Sequence, residues 1–168
     1  MLTYNERLSF LMRKNQGRLD MPKYIKELGS LVRDDAYEVI GLEASDGIMG
    51  KIRENWPNYS RIKRIYTEIP FEDRTILKRI VKNIAVDKRC YLSMGYSEIC
   101  GIAELNDINR FNADFRWEDE HTGMITLYSY DLINELIIDF YEEYNEYFID
   151  LELYGYRWNQ YISNEILL

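Results

Sequence analysis

The side chains of this chain that could perform chemistry are one histidine, two cysteines and many carboxylates. The histidine closes the polar segment Glu118-Asp119-Glu120-His121, and consecutive residues in a turn rarely converge on one metal ion. Cys90 and Cys100 are too few for a disulfide framework, and we expect both to be small core residues. The sequence has no phosphate-binding, nucleophile-elbow or zinc-protease motif. We therefore predict no catalytic residue, no metal and no cofactor, and a protein that is not an enzyme.

The carboxylates are concentrated in one window of the chain. The 40 residues between Arg116 and Arg157 contain no Lys or Arg but seven tyrosines. The same 40 residues contain eleven carboxylates, which are Glu118, Asp119, Glu120, Asp131, Glu135, Asp139, Glu142, Glu143, Glu146, Asp150 and Glu152. Residues 111–168 carry thirteen acids and two bases, whereas residues 1–110 carry sixteen acids and nineteen bases. This asymmetry predicts an acidic surface that repels nucleic acid and anionic membrane and attracts basic proteins.

The overall composition indicates one folded domain over residues 1–168. The chain is 46% hydrophobic, which is enough to bury a core, and its formal net charge is −8. The first seven residues lack the pattern of a signal peptide, and no apolar run approaches the length of a membrane span. Together with the low cysteine count, these features predict a cytoplasmic protein that does not bind a membrane.

Residues 1–88 show apolar residues at helical spacing, so we expect this part to be mainly helical. Thr3 and Glu6 fit a capping box at the start of the first helix, and Gly17 fits its end. Residues 60–69 are interpreted as a helix. The helix after Pro70 has a buried stripe of Ile76, Leu77, Ile80, Val81 and Ile84, and a basic stripe of Arg74, Lys78 and Lys82.

From residue 110 the pattern changes to a period of two, which predicts strands. We expect a hairpin of residues 110–117 and 124–130, then a helix from Asp131 to about Tyr144, then a strand over 147–158. A right-handed parallel crossover would join the last two strands. The fold class is therefore α+β, with a β-β-α-β part at 110–158 that forms a small mixed sheet with a helix packed on one face.

This arrangement predicts a surface for a partner. Tyrosines and acids would share one face of the sheet, and like charges would follow one stripe of the helix at a cost in stability. The predicted binding residues are Glu118, Asp119, Glu120, Tyr128, Tyr130, Glu135, Asp139, Glu142, Glu146, Asp150, Glu152, Tyr154 and Tyr156. Alternatively, the N-terminal helices cover the sheet face, so that the tyrosines belong to the core, and the helix stripe is simply solvated.

In general character the chain resembles the immunity proteins of bacterial polymorphic and contact-dependent toxin systems. The features that carry the resemblance are the acidic window between Arg116 and Arg157 and the predicted strand Phe148-Ile149-Asp150-Leu151-Glu152-Leu153-Tyr154-Gly155-Tyr156. The resemblance implies an antitoxin that binds a basic toxin domain, often a nuclease, and covers its active site or an adjacent surface. It implies no direct contact with nucleic acid.

Two other functions remain open on the sequence. One is a small regulatory protein that binds nucleic acid through basic helices at 60–86, since residues 51–90 contain eleven bases and five acids. The other is an enzyme that uses two of the many carboxylates, which would require a cleft where their pKa values are shifted in opposite directions.

Overall fold

The computed structural model describes residues 1–62 and 64–162. The α-helices of these residues are α1 (Tyr4–Leu31), α2 (Leu42–Tyr59), α3 (Thr75–Ile84), α4 (Ser97–Cys100) and α5 (Tyr156–Tyr161). Their strands are β1 (Tyr37–Val39), β2 (Ile65–Pro70), β3 (Cys90–Ser93), β4 (Ala103–Leu105), β5 (Met124–Ser129), β6 (Glu135–Glu143) and β7 (Glu146–Tyr154). This content confirms the predicted α+β class. In the part of the chain that the structure describes, no helix is both long and apolar enough to cross a membrane.

The seven strands form one sheet in the order β1-β4-β3-β5-β6-β7-β2, and every neighbouring pair is antiparallel. The predicted mixed sheet and its parallel crossover are therefore wrong. The longest pairings are those of the β5–β6–β7 meander and of β2 on β7. Short connections join β5 to β6 and β6 to β7, and such connections can join only antiparallel neighbours.

The predicted helix from Asp131 to Tyr144 is wrong, because these residues form the turn before β6 and then β6 itself. Leu136, Ile138 and Phe140 alternate with more exposed residues and are fully or almost fully buried. The segment fits both a helical and a strand period, and tertiary packing selects the strand. Asp131 is not a helix cap; it accepts a hydrogen bond from Ser129 Oγ at 2.6 Å.

The predicted strand over residues 110–117 is also wrong. This segment consists of turns, with a single bridge between Phe111 and Val32. Phe111 and Phe115 are buried as predicted, but they pack as part of a loop whose carbonyl groups are held by Arg74. The Arg74 guanidinium is buried and donates to Ala113 O and Phe115 O at 2.8 and 2.9 Å. The alternation reflects this packing rather than a ladder of backbone hydrogen bonds.

Two expectations for the N-terminal part also fail. Residues 60–69 contain β2 rather than a helix, because the β-branched residues Ile65, Thr67 and Ile69 occupy alternate positions; Lys63 lies outside the described residues. Helix α1 continues through Gly17 to Leu31. Gly17 does not end the helix. It lets the backbone at Ile99 approach α1 closely, since a Cβ at Gly17 would lie 2.1 Å from Ile99 O.

The main core lies on one face of the sheet, where α1, α3 and α5 pack against the strands. It includes Leu28 and Leu31 of α1, Leu77 and Ile80 of α3, and Trp158 of α5. The N-terminal helices α1 and α3 therefore do cover the sheet, on the face opposite the one that carries the tyrosines and acids. A smaller cluster on that other face is formed by Ile52, Tyr91, Ile102, Tyr128 and Leu132, beneath α2.

Asp87, in the turn that follows α3, anchors helix α5. Its carboxylate accepts hydrogen bonds from the Arg157 guanidinium, Trp158 Nε1 and Tyr161 Oη, at 2.7, 2.8 and 3.0 Å. Burial alone would raise the pKa of this carboxyl, but the three donors outweigh burial and lower it. The lowered pKa means that Asp87 stabilises the fold above the pKa of the unfolded chain, and that this contribution is lost as the pH falls through the folded value.

We predict that Asp87→Asn lowers the free energy of unfolding by about 2–3 kcal/mol near neutral pH, because Arg157, Trp158 and Tyr161 all lose a charged acceptor. Urea denaturation followed by tryptophan fluorescence measures the loss. Asp34→Asn is the matched control, since Asp34 pairs with Arg110 at an exposed site and should cost well under about 1 kcal/mol. Equal losses in the two variants would contradict the proposed role of Asp87.

Candidate protein-binding surface on the sheet

Helix α2 covers only part of its face of the sheet. Its Ile52 packs on Tyr128, and its Trp56 ring lies 4.9 Å from the ring of Tyr154. Beyond Tyr154 the face formed by β6, β7 and β2 extends toward the β6–β7 hairpin and is open to solvent, where Tyr66 is 50% exposed. The open area is the acidic sheet surface, which comprises Glu68, Asp139, Asp150 and Glu152 with the aromatic residues Tyr66, Tyr141 and Phe148.

Three of these carboxylates form a row across adjacent strands. Glu68 on β2 lies directly opposite Asp150 on β7, and Asp150 lies directly opposite Asp139 on β6. Neighbouring strands are about 4.8 Å apart, so the carboxylates are close neighbours on one face. Like charges directly opposite one another destabilise a sheet, typically by a few tenths to about 1 kcal/mol. This row is therefore costly for the isolated protein.

The row receives little compensation from within the chain. Tyr141 Oη lies 2.5 Å from Glu68 Oε2 and 3.2 Å from Asp150 Oδ1, and its single proton can serve only one of them at a time. No described residue donates a hydrogen bond to the Asp139 carboxylate, and burial together with Asp150 and Glu152 raises its pKa. Glu152, in the next row, pairs with Arg64 at 2.9 Å. The surface therefore carries an excess of negative charge.

Glu135 lies at the edge of this surface, under α2. Its side chain is buried, and Tyr59 Oη donates to Glu135 Oε2 at 2.9 Å. Burial raises the pKa of this carboxyl to about 7, against the effect of the tyrosine hydroxyls, and Glu152 adds to the increase. The pKa values of Glu135 and Asp139 are both raised. Catalysis by two carboxyl groups uses one raised and one lowered pKa, so this pair does not fit that pattern.

A groove adjoins the acidic row where α1 and α2 meet the sheet. It has a volume of about 730 Å³, and Met124, Thr126 and Tyr128 of β5 form its floor. Met124, which lines the groove, lies directly opposite Asp139 at the end of the row. Arg13 of α1 and Asp46 of α2 also line the groove, and the Arg13 guanidinium donates two hydrogen bonds of 2.7 and 3.1 Å to the Asp46 carboxylate.

Five predicted binding residues come together at this surface. Asp139, Asp150 and Glu152 are on it, and Glu135 and Tyr154 lie at its edge under α2. The structure thus joins residues that the sequence analysis assigned to a helix with residues that it assigned to a strand. Glu146 continues the same face at the hairpin, whereas Glu142 points to the opposite face.

The remaining predicted residues lie elsewhere. Tyr128 is buried beneath α2, which agrees with the alternative that tyrosines belong to the core. Tyr130 stacks on Tyr91 with ring centres 5.4 Å apart, and its ring faces the Arg89 guanidinium. Tyr156 begins α5 and is exposed.

The acidic turn at residues 118–120 is separate from the acidic sheet surface. Two of its three acids, Asp119 and Glu120, are buried and stabilise the fold. Asp119 is buried and accepts hydrogen bonds from the backbone and side chain of Arg116. Glu120 is buried and accepts hydrogen bonds from the backbone amides of Gly95 and of residues 122–124. Only Glu118 is exposed.

Sequence reasoning missed Glu68, Tyr66 and Tyr141. The first two lie in the segment interpreted as a helix, although the alternation of Ile65, Thr67 and Ile69 with Tyr66 and Glu68 carries a strand signal. Tyr141 was assigned to the erroneous helix over residues 131–144 and given no role.

Comparisons with protein-family models, curated proteins and solved structures found no match to this chain. The function must therefore be inferred from the surface itself.

We predict that Glu135→Gln changes how stability depends on pH. Because the folded pKa is raised, the unfolded chain releases this proton first, so stability is lost as the pH rises from about 4.5 to above 7. Relative to the wild type, the variant should gain about 2–3 kcal/mol of unfolding free energy over that range. Urea denaturation at several pH values measures this gain. A difference that does not vary with pH, or an equal effect of the exposed control Glu142→Gln, would contradict it.

We predict that Asp139→Asn stabilises the protein by roughly 0.5–1 kcal/mol near neutral pH, because it removes a charge opposite Asp150. The gain should shrink in high salt, which screens the repulsion. Thermal and urea denaturation measure it. The same change at Asp114, whose carboxylate pairs with Lys78 at 2.8 Å, is the control and should not stabilise the protein. A destabilised Asp139 variant would show that the row is not repulsive.

Proposed function

We propose that this protein is an immunity protein, which binds a basic toxin domain through the acidic sheet surface and neutralises it. The observation that carries the proposal is the row of Glu68, Asp150 and Asp139, which places three carboxylates opposite one another. The cost of that row in the free protein would be offset only when cations of a partner lie against it. Uncharged polar residues at these positions would preserve the strands without that cost.

The composition of the surface fits a tight protein interface. Tyr66, Tyr141 and Phe148 offer apolar contact area beside the acids, and tyrosine is enriched where binding energy is concentrated. The carboxylates would give charge complementarity and accelerate association. The groove at Met124 offers a place where one anchoring side chain of the partner could be buried.

A nuclease is the toxin class that this charge pattern favours. An enzyme that binds nucleic acid presents Lys and Arg where the phosphates lie. A row of carboxylates spaced along a sheet can contact the same cations, so the inhibitor would cover the substrate-binding surface. Cys90 and Cys100 are both buried and unpaired, which agrees with action in a reducing cytoplasm.

The alternative of nucleic-acid binding through basic helices at 60–86 gains no support from the arrangement of those residues. Residues 65–70 form β2. In the predicted basic stripe, Arg74 is buried against Phe71 and Phe115, and Lys78 pairs with Asp114.

The test is capture of the partner from cells that make the protein, with the products of adjacent genes co-expressed as candidates. The wild type should retain a basic protein at a one-to-one ratio, with an association rate that falls as salt rises. Asp139→Lys combined with Asp150→Lys should weaken binding at least about 100-fold, because reversed charges meet the partner's cations. It should also abolish protection against the toxin.

Glu38→Lys combined with Glu118→Lys is the matched control, with the same change in net charge. Glu38 lies on β1 at the opposite edge of the sheet, and Glu118 lies in the acidic turn. The control should bind like the wild type. If it loses affinity while the double variant on the row retains it, the binding surface is wrongly placed. If only nucleic acid is captured, the proposed function is wrong.

A further inference from the structure

A second cluster of chemically capable side chains lies where α1 meets the loop before β5. It consists of Glu27 from α1 with Glu120 and His121 from the loop. His121 Nδ1 lies 2.9 Å from Glu27 Oε1 and 3.7 Å from Glu120 Oε1. These two parts of the chain are 94 residues apart, so the cluster exists only in the folded protein. It is separate from the acidic sheet surface.

The two carboxylates of the cluster are largely removed from water. The Glu120 side chain is fully buried, and that of Glu27 is 12% exposed. Glu27 Oε2 is buried and has no hydrogen-bond partner among the described residues. Buried carboxylate oxygens are normally paired or bound to a cation. Glu120 has backbone amide donors, so the group of the cluster that lacks a partner is Glu27 Oε2.

The three ligand atoms lie within 4.8 Å of one another, which is close enough for them to converge on one metal ion. Bonds of about 2.0–2.2 Å to nitrogen and oxygen place ligands roughly 3.0–3.4 Å apart in octahedral or tetrahedral coordination. The two distances from His121 Nδ1, 2.9 and 3.7 Å, lie on either side of this interval. Binding of an ion would draw the three atoms together to that separation. Since the imidazole is 44% exposed, water can occupy the remaining positions.

Glu120 is held in place in advance. The amides of Gly95 and Gly123 donate to its two oxygens at 3.0 and 2.7 Å. The Thr122 hydroxyl lies 2.7–2.8 Å from both Glu120 oxygens. Because the hydroxyl has one proton, it can donate to Oε2 alone. A lone pair of Glu120 Oε1 then stays free for a cation. Hydrogen bonds of this kind orient the ligands of metal sites.

The backbone approaches the cluster closely at Gly95. A Cβ at this position would lie 2.8 Å from His121 Cε1 and 2.9 Å from Glu120 Oε1. The glycine therefore permits the loop to bring the imidazole and the carboxylate together. Tyr96 packs against the other side of the imidazole, with ring centres 4.1 Å apart, and limits its rotation.

We propose that Glu27, Glu120 and His121 bind a divalent transition-metal ion, of which Zn²⁺ and Mn²⁺ are the probes. One imidazole nitrogen with carboxylate oxygens suits such ions better than Mg²⁺ or Ca²⁺, which prefer oxygen ligands alone. The ion ties α1 to the loop that begins β5 and compensates both buried carboxylates. The role of the ion is structural, and water completes its coordination at the positions that the three side chains leave open.

The test uses the full-length protein, freed of metal with a chelator and titrated calorimetrically with Zn²⁺ and with Mn²⁺. We expect one ion per chain and a rise in the melting temperature on addition of metal. His121 is the sole histidine of the chain, so its imidazole ¹⁵N signals report directly on coordination through Nδ1. A hydrogen-bonded Glu27–His121 pair without a metal predicts no heat and unshifted signals, and that result would overturn the proposal.

Variants locate the ion. His121→Ala and Glu27→Gln should each weaken binding by about tenfold or more, since even loss of a group that only orients a ligand costs 10- to 100-fold. Glu98→Gln is the control, because Glu98 is exposed and lies nearby outside the cluster. His121 is partly exposed, so its variant keeps the test valid if Glu27→Gln does not fold. Wild-type affinity in His121→Ala would place the ion elsewhere and refute this site.

Discussion

The antiparallel register of β5, β6 and β7 is the constraint on which the rest of the structure depends. Tight connections set it: Leu132 adopts a φ of 64° between β5 and β6, and Tyr144 and Asn145 adopt 52° and 63° between β6 and β7. Two successive residues with positive φ characterise the two-residue hairpin turns whose twist matches that of the strands. Because side chains alternate along a strand, a slip by one residue would expose Leu136 and Ile138. Burial of the core and the geometry of the turns therefore fix the same register.

That register also brings the acids together. Once Ile138 and Leu151 face the core, their neighbours Asp139 and Asp150 must share the opposite face and stand directly across from each other. The pairing of β2 with β7 then adds Glu68 to the row. A slip by one residue would expose the core, and a slip by two would disrupt the turns that join the strands. Only substitution could remove these charges, and a single change to Asn or Thr would preserve the strand.

The sequence predicts those elements correctly whose apolar residues fit either the helical or the strand periodicity, but not both. Helix α3 has a helical stripe and β7 has a strict alternation, and both were predicted. The predicted last strand continued to Trp158, however, and was wrong beyond Tyr154, because residues 156–158 belong to α5. Strand β6 fits both periods, and the turns that decide between them are centred on Leu132 and Tyr144, which are not typical turn residues. The acidic sheet surface was partly predicted because most of its acids are close in sequence, whereas the place of Glu68 on it depends on the pairing of β2 with β7. The cluster at His121 could not be predicted, since Glu27 comes from the other end of the chain.

Stability and binding make opposite demands on the acidic sheet surface. In the free protein, Asp139 and Glu135 have raised pKa values because burial and neighbouring acids disfavour their charged forms. A cation of a partner would favour those charged forms, so binding would lower both pKa values and release protons where the carboxyl groups are still protonated. By linkage, affinity for a basic partner should then rise with pH through the range in which Glu135 titrates. A surface under selection for stability alone would avoid this coupling. The proposed inhibitor would sustain it because the main core on the other face of the sheet supplies the stability.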